Sequence, residues 1–425
     1  MAGLGYKDFT AGAVLTAAQV DGYLMEQSVM NFAGTAARGS ALASVLSAGQ
    51  MAHIGGGTVT VYDGSAWQQV YPTTGGGAFK NLLFNGAMQV SQRGTSTASI
   101  TAGGYFTADR YYQNTNSLGT WTQSVENDAP TGSGFRKSLK ILCTTADASP
   151  AAGDFLILQQ PLEGQDLQRI AKGTSSAQQL TLSFWVKSNV TGTYIAELND
   201  GDNSRTVSAS YAISASATWE RKTITFPADT TGAFDNDNAL SLTLNFWLGA
   251  GSTYTGGSPL QTTWGTATNT RATGQTNLAA ATNNYWQVTG VQLETGSVAT
   301  AFEFKSFGED LAECQRYYYR ATAPSLNSVL GVGWTVNTIA FRAVTIFPTT
   351  MRAAPTAVEV TGTAGDYEVA HASAVTTCNA VPTFVQASAT VGNTNFNVAS
   401  GLTIGNGGVG RSTGTAAYLG WSAEL

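Results

Sequence analysis

The stretches LTLSFWVKS (180–188) and LSLTLNFWLGA (240–250) alternate apolar with polar side chains. Successive side chains of a β-strand point to opposite faces of its sheet, so this alternation places one set in a core and the other outside it. The apolar sets are Leu180, Leu182, Phe184 and Val186 in the first stretch and Leu242, Leu244, Phe246 and Leu248 in the second. Both stretches therefore predict half-buried strands of antiparallel sheets.

Similar runs recur at short intervals between residues 81 and 305, and the joints between them are rich in Gly, Asn and Thr. Many short strands separated by turns are typical of a β-sandwich, and a jelly roll is the expected form. NLLFNGAMQV (81–90) is predicted to be its first strand, and YWQVTGVQLE (285–294) its last. Residues 81–305 are therefore assigned to a central domain.

The composition of the whole chain favours a mainly β fold. Its 425 residues include 48 Gly and 11% charged residues, and 43% are hydrophobic. Long helices rich in Glu, Lys and Leu are not expected from such a composition, whereas short strands with Gly and Asn turns are. The hydrophobic content is sufficient to build cores.

Charge and hydropathy argue against several classes of partner. The formal net charge is −6 and no cluster of Lys or Arg occurs, so nucleic acid is not an expected partner. No run of about 18 apolar residues is present, so membrane insertion is not expected. MAGLGYKDF (1–9) lacks the basic and apolar segments of a secretory signal, and we expect synthesis in a cytoplasm without export by that route.

The first region, residues 1–75, contains the clearest helical periodicity. Apolar side chains there recur at intervals of three and four, and the main ones are Val20, Tyr23, Leu24 and Met30. A helix of about fifteen residues with one apolar stripe needs a partner, either copies of itself or another protein. TVTVYDGSAWQQV (58–70) predicts a β-hairpin turning at Asp63-Gly64, and TTGGGAFK (73–80) is typical of a linker.

The last region, residues 306–425, begins with a predicted short helix. FGEDLAECQRYYYR (307–320) carries acidic residues in its first turn and an apolar face made of Leu311, Cys314, Tyr317 and Tyr318. Alternating stretches such as TIAFRAVTIFP (338–348) follow it. They predict a second, smaller β domain, a β-sandwich at the C-terminal end.

Candidate catalytic groups are sparse. The isolated thiols Cys143, Cys314 and Cys378 have neither disulfide nor zinc-site spacing, and His53 and His371 lie in different regions without a GxSxG motif. A glycoside hydrolase uses two neighbouring carboxylates, and the candidate pairs are Glu163 with Asp166, Asp235 with Asp237, and Glu309 with Asp310. Each pair falls in a loop or a helix start, where acids are common. We therefore expect no enzymatic activity.

Two acidic turns offer a candidate metal site. NDGDN (199–203) and DNDN (235–238) place Asp200, Asp202, Asp235 and Asp237 among amide side chains. Calcium prefers such oxygen-rich turns, but Asp-Gly and Asp-Asn turns are also common without a metal. Structural calcium and plain turns are both compatible with these residues, and no other cofactor is expected.

Aromatic residues of the central domain are the candidate ligand contacts. They are Trp185, Trp219, Trp247, Tyr254 and Trp264. Trp185 and Trp247 have the opposite phase to the apolar sets of their strands, so they are expected to line a concave sheet face, where indoles could stack on sugar rings. The alternative is that they are packing residues. The polar stretch 249–284 lacks periodicity, as a receptor-contacting loop or a simple exposed connection would.

Two resemblances to known families follow from these motifs. The order NLLFNGAMQV (81–90), QQLTLSFWVKS (178–188), TWERKTITFPA (218–228), LSLTLNFWLG (240–249) and YWQVTGVQLETGS (285–297) is similar to that of carbohydrate-binding modules of the galactose-binding jelly-roll superfamily. This resemblance covers about half of the chain and implies a sandwich that binds saccharides.

A second resemblance spans most of the chain. The N-terminal GYKDFTAGAVLTAAQVDGYLMEQSVMNFA, then VYDGSAWQQV, NGAMQVSQRGTS with TADRYY, QLETGSVATAFEFKSFGEDLAECQRYYYR and FPTTMRAAPT look like segments of bacteriophage tail fibres and related virion appendages. The family implies a homotrimer whose N-terminal region, here with Val20, Tyr23, Leu24 and Met30, docks to phage tail or capsid proteins.

The function expected from these observations is that of a non-enzymatic, trimeric phage tail fibre, made in the host cytoplasm and located in the virion. It would bind a bacterial surface polysaccharide as a receptor-binding protein. One alternative is an architectural head fibre, decoration protein or tail adaptor that binds no sugar. The other is a polysaccharide-degrading tail spike.

Overall fold

The computed structural model describes residues 14, 16, 29–43, 46–54, 58–70, 80–372 and 374–425. The chain forms two compact units, Met1–Lys80 and Asn81–Leu425. No helix within the described residues is long and apolar enough to cross a membrane.

The described part of the N-terminal unit is a small sheet with one helix. Its elements are β1 (Met30–Phe32), α1 (Thr35–Leu42), β2 (Met51–Ile54), β3 (Thr58–Tyr62) and β4 (Trp67–Val70), and the strands lie in that order with β1 parallel to β2. The predicted hairpin is therefore present as β3 and β4. Asp63 closes its turn by accepting hydrogen bonds from the Ala66 and Ser65 amides at 2.7 and 2.8 Å.

Of the four residues named for the predicted attachment helix, the structure describes only Met30. Val20, Tyr23 and Leu24 lie outside the described residues. The assignment of Met30 to that helix is wrong, because Met30 begins β1 and pairs with Ala52. Sheet hydrogen bonds between these strands take the place of the helical contacts that the spacing indicated.

The second unit contains a large antiparallel sheet built by residues 96–295. Its strands are β5 (Ser96–Tyr105), β6 (Tyr112–Glu126), β7 (Ser138–Thr145), β8 (Phe155–Glu163), β9 (Leu180–Ser188), β10 (Gly192–Asp200), β11 (Arg205–Ile213), β12 (Glu220–Phe226), β13 (Leu240–Ala250) and β14 (Tyr285–Thr295). They pair in the order β11-β10-β13-β8-β6-β7-β14-β9-β12, with β5 on β6. A 3-10 helix covers Gly164–Ile170, a second covers Leu278–Ala280, and α2 is Ser252–Thr255.

The sheet folds into two layers because β6 belongs to both. Residues 112–117 of β6 pair with β8, and residues 120–126 pair with β7. The first layer is β11-β10-β13-β8, and the second is β7-β14-β9-β12. Phe184 of the second layer packs against Phe246 of the first with ring centroids 5.0 Å apart, and both are buried. The predicted mainly β fold with an antiparallel sandwich is confirmed.

The opening stretch of this unit is not the predicted strand. Asn85 and Met88 adopt positive φ angles of 52° and 57°, which break an extended run. The Asn85 side chain accepts a hydrogen bond from the Val90 amide at 3.0 Å and donates to the Val90 carbonyl at 2.8 Å. The segment still lies beside β14, since the Leu82 amide donates to the Leu293 carbonyl at 2.8 Å. Its apolar residues are buried in irregular structure, whereas the predicted closing strand is β14.

The C-terminal part of the second unit consists of one helix and two further sheets. Its elements are α3 (Phe307–Gln315), β15 (Tyr318–Thr322), β16 (Val329–Asn337), β17 (Ala340–Ile346), β18 (Glu359–Val360), a 3-10 helix (Ala364–Asp366), β19 (Tyr367–His371), β20 (Ala374–Thr377), β21 (Thr383–Ala387), β22 (Val391–Asn397), β23 (Gly407–Ser412) and β24 (Tyr418–Ser422). One sheet has the order β15-β24-β18 and the other β20-β19-β23-β16-β17-β22-β21.

Helix α3 begins where the acidic residues predict it. Ser306 and Glu309 form a reciprocal capping box at its first turn. The helix ends at Gln315, so two residues of the predicted apolar helix face lie outside it: Tyr317 follows in a turn and Tyr318 belongs to β15. Cys314 is fully buried on the helix, as that face predicts.

A buried ionic junction joins the sandwich to the C-terminal sheets. Arg110 is fully buried, forms an ion pair with Glu424, donates to the Pro161 carbonyl at 2.6 Å and lies 3.4 Å over the Tyr317 ring. Arg316 makes two hydrogen bonds to the buried carboxylate of Glu163 at 2.8 and 2.7 Å. The TADRYY (107–112) and CQRYYYR (314–320) segments therefore hold the second unit together.

Candidate functional site

The structure places the two predicted sheet tryptophans on opposite outer faces of the sandwich. Phe184 and Phe246 point inward, so Trp185 and Trp247, the next residue in each strand, point outward from different layers. The prediction that Trp185 and Trp247 line one concave face is therefore wrong. Equal phase within two strands does not show that the strands belong to the same layer.

Trp247 is fully buried beneath the stretch that follows its strand. It clusters with Ile157, Ile195 and Ala272, and its ring centroid is 5.1 Å from that of half-buried Tyr254. Part of the stretch 249–284 therefore covers the outer face of the first layer. Trp247 and Tyr254 are packing residues in this structure, which was the alternative for them.

Trp264 packs over a buried lysine. Its indole N–H donates to the Pro227 carbonyl at 2.8 Å, and the Lys172 ammonium lies 5.2 Å from its ring centroid. The ammonium contacts the carboxylates of Asp200 and Asp229 at 2.5 and 3.2 Å. It also donates to the carbonyls of residues 231 and 232 at 3.0 and 2.7 Å. We call Lys172 and these four oxygen groups the lysine cage.

The four candidate calcium ligands do not converge. Asp200 belongs to the lysine cage, Asp202 accepts a hydrogen bond from the Asp235 amide at 2.9 Å, and Asp237 accepts one from the Ala239 amide at 2.9 Å. Within the described residues no three His, Cys, Asp or Glu side chains are grouped as metal ligands. Asp202 and Asp237 accept hydrogen bonds from backbone amides, and an ammonium supplies the positive charge at Asp200.

Trp185 lines a cleft on the outer face of the second layer. The cleft has a volume of about 480 Å³, and its lining includes Trp185, Arg221, Phe135, Phe302, Phe304, Ser183 and Thr300. Trp185 pairs across the sheet with Arg221 of β12 on one side and Thr289 of β14 on the other. An indole, a guanidinium and hydroxyl groups therefore share one opening, which we call the Trp185 cleft.

Three phenyl rings form the opposite wall of the Trp185 cleft. The Phe135 centroid lies 4.8 Å from that of Phe302 and 5.0 Å from that of Phe304, and Phe304 is 53% exposed. A bulge in β14 makes room for them at Gly290, where φ is 63°. A Cβ at Gly290 would lie 2.5 Å from the Phe135 ring, so glycine is required there on both conformational and steric grounds.

A charged cluster with a second indole continues the same face. Trp219 immediately precedes β12, and its N–H donates to Asp128 at 3.2 Å. Lys187 forms an ion pair with Asp128 and lies 5.1 Å from the Trp219 ring centroid, while Gln287 donates to Asp128 at 3.3 Å. Partial burial opposes ionisation, but the hydrogen bonds from Lys187 and Trp219 hold the pKa of Asp128 below its usual range.

The whole face combines half-buried aromatic rings with fixed polar groups. Trp185 and Trp219 lie near diagonal cross-strand positions, which are about 7–8 Å apart in antiparallel sheets. Such a surface can stack on flat apolar ring faces while Arg221, Gln287 and Asp128 bond to hydroxyl groups. Phe135, Phe302, Phe304 and Arg221 were not sequence candidates. The alternation in AFEF (301–304) is the only local signal for them.

Two of the candidate acid pairs contribute a carboxylate to structural contacts, Glu163 to an ion pair with Arg316 and Glu309 to the capping box. Burial alone would raise the pKa of Glu163, but hydrogen bonds from Arg316 hold that pKa below its usual range. Glu309 belongs to the capping box, while burial raises the pKa of Asp310 to about 6. All three cysteines are buried and free, and His371 bonds to the Thr376 hydroxyl at 3.2 Å. Glu163, Glu309 and His371 are therefore engaged in contacts within the fold.

A second groove lies on the outer face of the first layer. It has a volume of about 210 Å³ and is lined by residues that include Tyr105, Tyr112, Gln159, Asn199 and Thr243. Tyr105 and Tyr112 form an edge-to-face pair with centroids 5.0 Å apart. The groove is less than half as large as the Trp185 cleft and carries no tryptophan, so the Trp185 cleft is the stronger candidate.

Comparisons with known proteins give structural likenesses only. No family model matches the chain, and no curated protein matches it in sequence. A solved structure of the bacteriophage CBA120 tailspike protein 4 enzymatically active domain is 15% identical, with a TM-score of 0.28, and the match covers 52% of this chain and 22% of that chain.

Carbohydrate-binding modules are among the other similar structures. The module TmCBM61 in complex with beta-1,4-galactotriose is 10% identical, with a TM-score of 0.25, and the match covers 51% of this chain and 98% of the module. A family 11 module from Clostridium thermocellum, in complex with a mixed-linked tetrasaccharide, is also 10% identical with a TM-score of 0.25, over 48% of this chain and 98% of that one.

Proposed function

We propose that this chain is a glycan-binding structural protein of a phage particle, with the Trp185 cleft as its principal saccharide site. The observation that carries the proposal is the pairing of Trp185 with Arg221 in an open, aromatic-walled cleft. Sugar rings present apolar C–H faces to an indole and hydroxyl groups to charged and amide side chains. Trp185 and Trp219 supply the stacking surfaces, and Arg221, Gln287 and Asp128 supply hydrogen bonds.

The openness of the face suits weak binding to a repeated polymer. Trp185 and Trp219 offer adjacent stacking positions, so successive sugars of one polysaccharide could occupy them. Several copies on one particle would raise the apparent affinity without any tight single site, because the second binding event is intramolecular. Bacterial surface polysaccharide is the ligand class that fits this requirement.

The placement in the particle belongs to the same proposal. Residues 1–75, with Val20, Tyr23, Leu24 and Met30, would attach the protein to phage tail or capsid proteins. Residues 81–305 would carry the glycan site, and residues 306–425 would form a distal β domain. The protein would be made in the host cytoplasm and would assemble as a homotrimeric tail fibre. Deletion of residues 1–70 should abolish incorporation into virions, and incorporation of the truncated chain would contradict this attachment role.

Glycan-array binding with the full chain tests the saccharide site. Trp185→Ala should reduce affinity by about 30-fold, because a buried aromatic contact in a binding site is worth about 2 kcal/mol. Trp185→Phe should lose less, since a ring is retained. Ile404→Ala is the matched control, because Ile404 is an exposed apolar side chain (66%) outside the cleft, and it should bind normally.

The same assay distinguishes the alternatives. Binding of the wild type to no host polysaccharide at any valency would support an architectural head fibre, decoration protein or adaptor. Release of reducing ends from purified host polysaccharide would support a tail spike enzyme, and Glu163→Gln and Asp235→Asn would then locate its acids. Glycan binding without reducing-end release is the outcome that the Trp185 cleft predicts.

A further inference from the structure

The seven-stranded sheet of the C-terminal part has one covered face and one open face. Phe341 and Phe396 on the covered face are fully buried with Leu419 and Trp421 of the three-stranded sheet. A Cβ at Gly392 would meet the Trp421 ring, which places the alternate positions of β22 on the open side.

An apolar row crosses the open face. In strand register, Val375 pairs with Ala370, Ala370 with Val409, Val409 with Val332, and Val332 with Val344. The row therefore spans five adjacent strands, β20-β19-β23-β16-β17. Val332 and Val375 are 53% and 52% exposed. We call this row, with its neighbours Trp334 and Ile346, the valine face.

The neighbours of the row extend its apolar area. Trp334 of β16 is 44% exposed, and Ile346 of β17 is 71% exposed. Ile346 pairs with Val391 of β22. Monomeric proteins rarely expose contiguous apolar patches of more than a few hundred Å², and larger patches mark interaction sites.

The charges on the valine face nearly cancel. Arg411 donates to Glu368 at 2.7 Å, and the two form an ion pair on its β19-β23 side. Arg342 donates to Asn395 at 3.3 Å and is the remaining charge among the described residues of this face. A surface that carries little net charge can meet an identical surface without strong repulsion.

The dimensions match a small specific interface. Seven strands spaced about 4.8 Å apart span about 30 Å, and about five or six residues per strand span about 17–20 Å. The open face of the sheet, which is the valine face with its polar flanks, therefore offers about 500–600 Å² on each copy, or about 1,000–1,200 Å² for two copies, which lies at the lower end of specific protein interfaces. Apolar sheet faces of this kind pack on one another about 10 Å apart.

We propose that the valine faces of the copies in an oligomer of this chain pack against one another around its symmetry axis. A continuous hydrocarbon row is poorly suited to a saccharide, whose hydroxyl groups would lose their hydrogen bonds there, whereas an identical apolar row satisfies it. The flanking Asn393 and Asn395 and the Glu368–Arg411 pair form a polar rim, as expected around an apolar interface centre. This inference rests on the proposed self-association and names the surface that makes it.

Thiol labelling of the full chain tests the proposal. The three native cysteines are buried, so a maleimide reports mainly on an introduced thiol. Val332→Cys should label at least tenfold more slowly than Ile404→Cys, although both positions are exposed in the single chain. Val332→Lys should lower the mass measured by sedimentation velocity. If residues 1–80 still hold the copies together, Val332→Lys combined with Val375→Cys should label as fast as Ile404→Cys.

Other outcomes overturn the interface. Equal labelling of Val332→Cys and Ile404→Cys in a chain that self-associates would show that another surface joins the copies. A monomeric mass with fast labelling would overturn self-association as well. Protection that appears only when host polysaccharide is added to a monomer would assign the valine face to glycan binding instead. Val332→Lys should still bind on the glycan array, because the Trp185 cleft lies in the sandwich and not on the valine face. Failure of the valine face and failure of the Trp185 cleft are therefore distinguishable.

Discussion

Replacing Lys172 with methionine should destabilise the second unit by removing the cation of the lysine cage. Lys172 and Asp200 are 2% and 0% exposed, and Asp229 is 5% exposed, so none of these charges has much access to water. Breaking a buried ion pair by deleting one partner costs about 3–5 kcal/mol, because the other charge stays buried. Arg205 still pairs with Asp229 at 2.8 Å, so we expect the lower end, about 3 kcal/mol.

Thermal and urea unfolding of the full chain measure this loss. About 3 kcal/mol corresponds to a decrease in Tm of about 4 °C for a unit of this size, because the entropy of unfolding grows with chain length. Tryptophan fluorescence is a suitable probe, since Trp264 lies beside the ammonium. Lys222→Met is the control, because the Lys222–Glu220 pair retains 19% and 16% exposure and should contribute about 1 kcal/mol or less.

Calcium gives a second readout of the same cage. Without the ammonium, the Asp200 and Asp229 carboxylates and the carbonyls of residues 231 and 232 form a set of oxygens of the kind that calcium prefers. Calcium at about ten times its Kd should restore about 1.4 kcal/mol to Lys172→Met and nothing to the wild type. A loss below about 1 kcal/mol in Lys172→Met, with no calcium response, would refute the view that the ammonium neutralises these acids.

Three further predictions concern the cleft, the junction and the covered tryptophan. Gly290→Ala should lower stability by about 1–3 kcal/mol and weaken glycan binding, because its Cβ would displace the Phe135 ring. Unfolding curves and glycan arrays measure the two effects. An unchanged glycan affinity would show that the bulge at Gly290 does not shape the binding site. Burial raises the pKa of Asp109 to about 6, so the folded state favours the protonated carboxyl and loses the stability that this proton contributes as pH rises from about 4 through 6. Asp109→Asn should therefore gain about 2–3 kcal/mol of stability relative to the wild type over that pH range. A stability difference that does not change with pH would contradict the raised pKa. Trp247→Ala should cost about 3–5 kcal/mol as a buried large-to-small change. The fraction that remains folded should bind glycan as tightly as the wild type, since Trp247 lies on the outer face of the first layer, away from the Trp185 cleft.

The sandwich could be predicted because its strands carry a strict period of two. The core sets of β9 and β13 are buried as the alternation indicates, and β14 closes the sandwich where YWQVTGVQLE predicts it. NLLFNGAMQV failed as a strand because its apolar content is equally satisfied by buried turns. The side chain of Asn85 and the left-handed conformations at Asn85 and Met88 decide between these forms, and neither has a periodic signature.

The candidate site was only partly predictable for a related reason. Trp185 was a sequence candidate because its phase excludes it from the core, and it does line an open cleft. Trp247 has the same phase but lies under residues from a later stretch, and Phe135, Phe302 and Phe304 are brought together from positions more than 160 residues apart. Burial by distant segments leaves no mark in local spacing.

The amino-acid sequence by itself determined the class of fold, since alternating apolar positions can bury one face only as strands of packed sheets. It also determined which residues point away from that core. Tertiary structure alone decided which outward positions stay open, which layer each belongs to, and that the Lys172 ammonium supplies the positive charge beside Asp200. The physical reason is that alternation constrains each strand separately, whereas exposure and ion pairing depend on which remote segments the fold brings to the same place.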